Sequence, residues 1–481
     1  MEPCLGHILF IGLEFVDPIF SGNGILTHSL VQGLLDVGYN VSVICAQPFS
    51  FDNEETKNNG KTSGMHRISS DHDRTNVPTL SSSIDFPNSL VEPLERKKLR
   101  IFPIPVPAHK WKRLDRFSAW EEMAHLAPDE IVNKYAHEAV LLFDEIDFVF
   151  CIDWSAIPTY DSLSNKFQSL LRARLVYYVF RVFSMSSEIF TEQNCLEFYQ
   201  LRELQALQKA DLVLAISHVD KMALEKLVVE NGKNVRNEGT QLGEQNHETE
   251  IHMELHVIVP PLRSDLLRLL QYDVQNPSAI GVHMGKQRKY IMCNVRISPE
   301  KNAMVFAHLM RILSQRNILH KYDFRPLLVG VICDHSYAYK VRATLPPETK
   351  WITDFLKPSD LIAYMQESVI MIHPSTYEAY GMTIAEAAAV GTPSLIHFEN
   401  IGASSWFREC QEEILTTDMR CLETISNKLL QILEDQDSGI AYLNRVGKNA
   451  QQRALMWTTS DCAQCIGERL NRIVRTSNHP Q

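Results

Sequence analysis

The chain has 481 residues and a formal net charge of −11, from 47 Lys and Arg against 58 Asp and Glu. That length exceeds what one hydrophobic core usually serves, so two domains of roughly 200 residues each are expected. The acidic balance argues against nucleic-acid binding, which needs basic faces to neutralise phosphates.

No window approaches the roughly 18 apolar residues of a spanning helix, and the start MEPCLGHILFIGLEF has neither a basic lead nor a long apolar core. The ten cysteines are scattered, and several, such as Cys45 and Cys151, end apolar runs, which suits reduced, buried thiols. A cytoplasmic location is the expectation. The single CxxC, Cys462 to Cys465, sits in a C-terminal helical pattern with no second pair and no His cluster, so no metal is expected there.

His7 to Gly12 is a short apolar run that reads as a central strand. A loop with Ser21, Gly22, Asn23 and Gly24 follows, then a helical pattern through Leu26, Leu30 and Leu34, then the strand NVSVICA. In this βαβ opening Gly22 and Gly24 let the backbone approach a ligand at a helix start, the alternative being a simple turn. G-x-G-x-x-G is not completed and no acid ends the second strand, which weakens a nicotinamide reading.

From Phe51 to about Arg96 the chain is polar and aperiodic, a loop insertion. Leu99 to Val106 carries two prolines and reads as an edge strand. His109 to Phe117, HKWKRLDRF, interleaves cations with Trp111 and Phe117. That composition suits a phosphate-bearing acceptor or peripheral contact with an anionic membrane, or simply a solvated loop. The strand DFVFCIDW places Asp153 at a carboxyl end, where ligands collect in parallel sheets; a helix N-cap is the other reading. A helix from about Glu197 to Lys209 and a strand ending at Ser217 follow, and Glu230 to Glu254 is a second polar insertion.

After a strand and a Pro-Pro turn in His256 to Leu267, a polar stretch marks a boundary near Pro277. Tyr290 to Cys293 is a strand, and Arg296 and Lys301 flank Ser298-Pro299-Glu300, a helix-start signal. Two cations around such a turn can clamp two phosphates, Arg bidentately and Lys as a point charge; a solvated basic turn is the alternative. Val369 to Pro393, VIMIHPSTYEAYGMTIAEAAAVGTP, is a buried strand, a loop and an Ala-rich helix stopped by Gly391 and Pro393. The helix start at Gly381, Met382 and Thr383 presents free N–H groups to an anion such as a diphosphate, with Glu378 and Glu386 on either flank.

The E-x7-E spacing of Glu378 and Glu386, in its Pro-Ser and Tyr-Gly context, resembles the retaining nucleotide-sugar glycosyltransferases of the B fold, family 4 type. The stretch from Tyr290 to Asn302 is similar to the same family, with Val295 where Gly is common. The resemblance implies two doubly wound Rossmann-like α/β domains facing a central cleft. Residues 1–277 would bind the acceptor and 278–455 the nucleotide sugar, with 456–481 crossing back as a helix.

It also implies site roles: Glu378 meets donor-sugar hydroxyls, Glu386 the ribose, and Arg296 and Lys301 the diphosphate. Asp153 would lie near the sugar and acceptor, and Gly22 and Gly24 at the cleft face. The implied reaction moves a hexose from a UDP- or GDP-sugar to an unidentified glycan, lipid or small molecule, with retention and without a metal or a permanently bound cofactor. An epimerase or phosphorylase of the same architecture, or a sugar-nucleotide-binding scaffold, are the competing readings.

Overall fold

The computed structural model describes residues 4–16, 21–49, 99–107, 119–186, 193–238, 254–275, 288–434 and 436–477. The sequence-predicted insertion from Phe51 to Arg96, the basic stretch His109 to Phe117 and the boundary near Pro277 lie outside them.

In chain order the first half runs β1 (His7–Gly12), α1 (Gly22–Asp36), β2 (Asn40–Phe49), β3 (Leu99–Pro107), α2 (Ala119–Asp144) and β4 (Phe148–Ile152). It continues with α3 (Ile157–Lys166), β5 (Arg174–Val179), α4 (Gln193–Lys209), β6 (Leu212–Ala215), α5 (His218–Glu238), β7 (Leu255–Val257) and α6 (Ser264–Gln275). The second half holds β8 (Tyr290–Asn294), α7 (Ala303–Gln315), α8 (Ile318–Lys321), β9 (Arg325–Val329), α9 (His335–Thr344), β10 (Lys350–Ile352) and α10 (Pro358–Gln366). It closes with β11 (Ser368–Ile372), α11 (Met382–Ala389), β12 (Ser394–His397), β13 (Leu415–Thr417), α12 (Leu422–Glu434), α13 (Gln436–Leu455) and α14 (Thr459–Ser477).

Two all-parallel sheets result, ordered β3-β2-β1-β4-β5-β6-β7 and β10-β9-β8-β11-β12-β13. The registers that build their centres include Ile8 against Phe148 and Met371 against Met292. Strands buried on both faces must be apolar at every position rather than alternate. Accordingly Ile8 and Phe10 join one core cluster while Leu9 and Ile11 join another. The first of these clusters also holds Met292, Met371 and Ile384, so it is continuous from one sheet to the other. Pro103 and Pro105 lie in β3, an edge strand, as a residue without an N–H requires.

Both sheets reverse their strand order beside the first strand of each half, between β1 and β4 and between β8 and β11. A crevice forms outside the carboxyl ends of strands at such a switch point. The glycine pair follows β1 and Asp153 follows β4; Arg296 follows β8 and the Glu378 loop follows β11. The topology therefore aims all four segments at crevices of this kind.

α14 returns to the first half: Cys462, Ala463 and Ile466 pack in one cluster with Leu26, Leu30 and Leu34 of α1. Trp457, just before it, donates its indole N–H to the Val259 carbonyl at 2.8 Å. Two local expectations change. The polar stretch from Glu230 begins as helix, because α5 continues to Glu238. The turn at Ser298-Pro299 opens only a single 3-10 turn, Pro299–Lys301; Asn302 then takes a left-handed conformation (φ 54°) before α7 starts at Ala303.

Candidate active site

β11 ends at Ile372, and His373, Pro374 and Ser375 turn the chain into the loop that carries Glu378. That loop is clamped by the segment after β12. The Glu378 N–H donates to the Asn400 carbonyl at 3.0 Å, and the Gly402 N–H donates to the Glu378 carbonyl at 2.9 Å. Gly402 is needed for the approach: a Cβ there would lie 1.8 Å from the Ala379 carbonyl oxygen. Gly381 (φ 90°) then makes a left-handed turn in which a Cβ would stand 2.7 Å from Ile384 Cδ1, and α11 begins at Met382. No side chain caps α11, so its first-turn amides are not claimed by a capping group. The helix stops as its sequence dictates. Gly391 (φ 77°) is left-handed, and the Thr392 N–H reaches the Ala387 carbonyl at 2.9 Å.

Three donors converge on Glu378 Oε1: Lys301 Nζ at 2.5 Å, His373 Nε2 at 3.0 Å and the Ser375 hydroxyl at 3.0 Å. Burial alone would raise the Glu378 pKa, but the Lys301 ammonium and His373 outweigh it and hold the carboxyl well below its ordinary value. Burial lowers the Lys301 pKa, with Arg296 and Arg181 pushing the same way against the pull of Glu378. The charged pair is the state we assign, because an oxygen that accepts three donors is stabilised as a carboxylate. Thr383 Oγ1, in the first turn of α11, lies 3.4 Å from His373 Nδ1, so His373 links the helix start to Glu378. Arg296 is half-exposed, 3.8 Å from Glu300, and its charge is felt at Lys301.

Glu386 has a different partner. It is 4 % exposed on α11, and its Oε1 accepts from Arg263 of the first half at 3.2 Å. Arg263 also forks onto both oxygens of Asp265 at 2.6 Å each. Burial raises the Glu386 pKa, against the opposing pull of Arg263.

On the facing side, Gly22 and Gly24 form the first turn of α1 rather than a preceding loop, capped by Ser21, whose hydroxyl accepts from the Asn23 N–H at 3.1 Å. Asn23, between the two glycines, donates its side-chain amide to Asp153 Oδ2 at 3.1 Å. A Cβ on Gly22 would stand 3.8 Å from Met382 Cγ, which puts the glycine turn against the start of α11. Asp153 makes no helix cap. It is 3 % exposed with φ 56°, and its Oδ1 accepts the backbone N–H groups of Phe180 (2.7 Å) and Arg181 (3.2 Å). Burial drives its pKa up to about 7, against the two amides, with Asp220 and Glu203 adding to the rise.

Sequence reasoning did not single out Arg181, Asp220, Tyr377, Arg263 or His373. The Arg181 guanidinium carbon sits 5.9 Å from the Tyr377 ring centroid, and the Tyr377 hydroxyl reaches Asp220 Oδ1 at 3.0 Å. Asp220 is fully buried; burial raises its pKa to about 7, partly opposed by Ser217 and Tyr377. Arg181 and His373 each lie within two residues of a strand's carboxyl end, the signal that could have flagged them.

The fold is that of the B-type glycosyltransferases. Sucrose-phosphate synthase from Thermosynechococcus elongatus superposes with a TM-score of 0.61 at 13% identity, over 98% of this chain and 100% of that one. Anabaena HepE in complex with UDP and glucose gives 0.57 at 15% identity, over 97% and 100%. An E. coli trehalose-6-phosphate structure bound with UDP-2-fluoro glucose gives 0.60 at 10% identity, over 97% and 99%. Residues 282–453 match the family Glycosyl transferases group 1. No curated protein matches the chain in sequence.

Proposed function

We propose that the protein is a retaining glycosyltransferase that moves a hexose from a UDP- or GDP-sugar to an acceptor hydroxyl. The observation that carries the reading is the part-buried Lys301–Glu378 pair beside the uncapped start of α11, with the charges of Arg296 and Arg181 acting on Lys301. Such a group of donors suits a diphosphate, and the Ser298 hydroxyl, buried in the Arg296–Lys301 turn with no partner, is a further donor for it.

In this reading Lys301, Arg296 and the amides of Met382 and Thr383 meet the phosphates, and Gly22 and Gly24 leave room for them from the other side. Glu378 holds the donor sugar through Oε2, and Glu386 the ribose through its own Oε2. The anomeric C–O bond to the β-phosphate breaks as the acceptor oxygen bonds to the anomeric carbon on the same face. The electron pair stays on the diphosphate, which takes the acceptor's proton. The charge that grows on the leaving group is met by donors already in place, which is where such sites gain most of their rate. In the same reading Asp153 positions Asn23 between the two glycines. HepE, whose structure holds UDP and glucose, makes a UDP-sugar the first donor to try.

The test is incubation of purified protein with radiolabelled UDP- and GDP-hexoses and a panel of acceptors, with EDTA in one arm. Transfer, or slow donor hydrolysis, with the donor's anomeric configuration kept and EDTA without effect supports the proposal. Isomerised donor, an inverted product, or nucleotide binding with no turnover contradicts it.

A further inference from the structure

Two arms of the second half reach the start of α5, and both bear on Glu378. The first is Tyr377, the residue directly before it. The Tyr377 hydroxyl lies 3.0 Å from Asp220 Oδ1 and 3.2 Å from the Val182 carbonyl oxygen, both in the first half. Its ring lies under the Arg181 guanidinium, whose carbon is 5.9 Å from the ring centroid. The second arm is the segment that clamps the Glu378 backbone. A Cβ on Gly402 would stand 2.8 Å from Ser217 Cβ, and Ser405 Oγ accepts the His218 N–H at 3.2 Å.

The carboxylate that receives Tyr377 is fixed by contacts local in sequence. Ser217-x-x-Asp220 is a helix-start pattern: the Ser217 hydroxyl donates to Asp220 Oδ2 at 2.9 Å and accepts the Asp220 N–H at 3.1 Å. The Val182 N–H donates to the same carboxylate, so Asp220 has one position when Tyr377 reaches it. Asp220 is 0% exposed, so its part is played through Tyr377 and not on a substrate. The donors to Glu378 Oε1, by contrast, are Lys301, His373 and Ser375, all of the second half. They orient the Glu378 side chain without referring it to the first half. Tyr377 supplies that reference.

We propose that Tyr377 and Asp220 are positioning residues for the transfer reaction: through the backbone that Tyr377 shares with Glu378, they hold Glu378 Oε2 in register with the first half. The inference rests on the glycosyltransferase reading above, in which Oε2 holds the donor sugar and the first half seats the acceptor. A sugar held by one half must be presented to a nucleophile held by the other, and an error of about an ångström there lowers the rate by up to about a hundredfold. The proposed diphosphate grip of Lys301, Arg296 and α11 lies within the second half and does not pass through Tyr377. Loss of the hydroxyl should therefore lower kcat and leave nucleotide affinity alone.

The experiment follows turnover of whichever UDP- or GDP-hexose of the panel above the natural chain uses fastest. Tyr377→Phe removes one oxygen and keeps the ring against Arg181. In Tyr377→Phe and in Asp220→Ala, kcat should fall about tenfold or more, while the Kd for UDP or GDP by calorimetry stays within about twofold. Asp220→Asn, which keeps an acceptor oxygen, should restore most of the rate lost in Asp220→Ala; if the alanine variant does not fold, Tyr377→Phe stands alone. A double-variant cycle separates aim from a general weakening between the halves. Beside Glu378→Gln, Tyr377→Phe should lower kcat by less than about twofold more, and beside Arg296→Ala its effect should persist in full. Ser405→Ala, which removes the neighbouring contact to His218, should change kcat by less than about twofold. With an active natural chain, an unchanged kcat in Tyr377→Phe, an effect that persists in full beside Glu378→Gln, or an equal loss in Ser405→Ala overturns this inference alone. A natural chain that turns over no donor of the panel overturns the glycosyltransferase reading and this inference with it.

Discussion

Lys301 and Glu378 depend on each other, so substitutions at the two should not add. Lys301→Ala removes a cation from the proposed diphosphate site and leaves a carboxylate, 13% exposed, with only His373 and Ser375. By analogy with the loss of one oxyanion donor, kcat should fall about a hundredfold or more. Steady-state rates of Lys301→Ala, Glu378→Gln and the double variant check this, and strict additivity would show that the two act apart. Arg263 and Glu386 make a second such pair across the two halves. Arg263→Gln leaves Glu386 buried without its cation, which should cost about 3–5 kcal/mol in denaturant unfolding. The double variant Arg263→Met with Glu386→Leu should recover most of that loss, and it should bind nucleotide poorly because the proposed ribose ligand is gone. A double variant as unstable as Arg263→Gln would show that the pair is not what matters there.

At the scale of elements, the loop from β11 to α11 owes its shape to two glycines. Gly381→Ala asks a residue with a Cβ to sit at φ 90° and to displace Ile384, at a cost of about 1–3 kcal/mol in unfolding. Gly402→Ala is the more damaging of the two, since its neighbour is the fixed Ala379 carbonyl and not a side-chain tip. Both should lower activity through the aim of the α11 amides, and a Gly381→Ala enzyme of unchanged stability and rate would contradict the role given to that turn. This strand-loop-helix unit was legible in the sequence because its signals are local: a β-branched run, a helix-stopping Gly-x-Pro and alanines between. The turn that carries Lys301 was legible only in part, since Ser298-Pro299 opens a 3-10 turn and not the helix itself. Arg263 was not, because its meaning comes from Glu386, 123 positions away. Nor was Asp220, whose partner Tyr377 lies 157 positions away. The loop imagined before α1 is instead its first turn, because Ser21 is an N-cap and glycine does not bar a helix start. The helical continuation to Glu238 was hidden by a polar composition with little apolar periodicity.

For the molecule as a whole, three buried acids stand together in the first half. Asp153, Glu203 and Asp220 each have a pKa raised by burial to about 7; Asp220 adds to the rise of both others, and Glu203 to that of Asp153. Unfolded carboxyls titrate near 4. Between about pH 4 and 7 the folded chain therefore holds more protons than the unfolded one, and these groups make stability fall as pH rises through that window. His7 and His397, whose pKa values burial lowers, work in the opposite direction, so the difference between two proteins is the clean reading. Relative to Asp220→Asn, the natural chain should lose stability from pH 5 to pH 7 in urea titrations and hold a constant difference above that. A difference independent of pH would mean that Asp220 stays ionised against Tyr377, Ser217 and Arg181. Parallel sheets with two switch points could be expected from the alternation of strands and helices, whereas the core shared between the sheets depends on helix residues such as Leu26, Ile384 and Ile466 that meet only in the folded chain. The Pro-Pro segment before Arg263 shows the limit of such reading: it marks a turn, while the placement of Arg263 on Glu386 is set by how the halves meet.

The central claim is that Lys301, Arg296 and the first turn of α11 grip a diphosphate. Calorimetric titration of the mono- and diphosphates of uridine and guanosine into the natural chain, Lys301→Ala and Arg296→Ala tests it most directly. For whichever base binds, the diphosphate should bind more tightly than the monophosphate, and each variant should erase about tenfold or more of that advantage. Equal affinities for mono- and diphosphate, or an advantage that survives in both variants, would contradict the account.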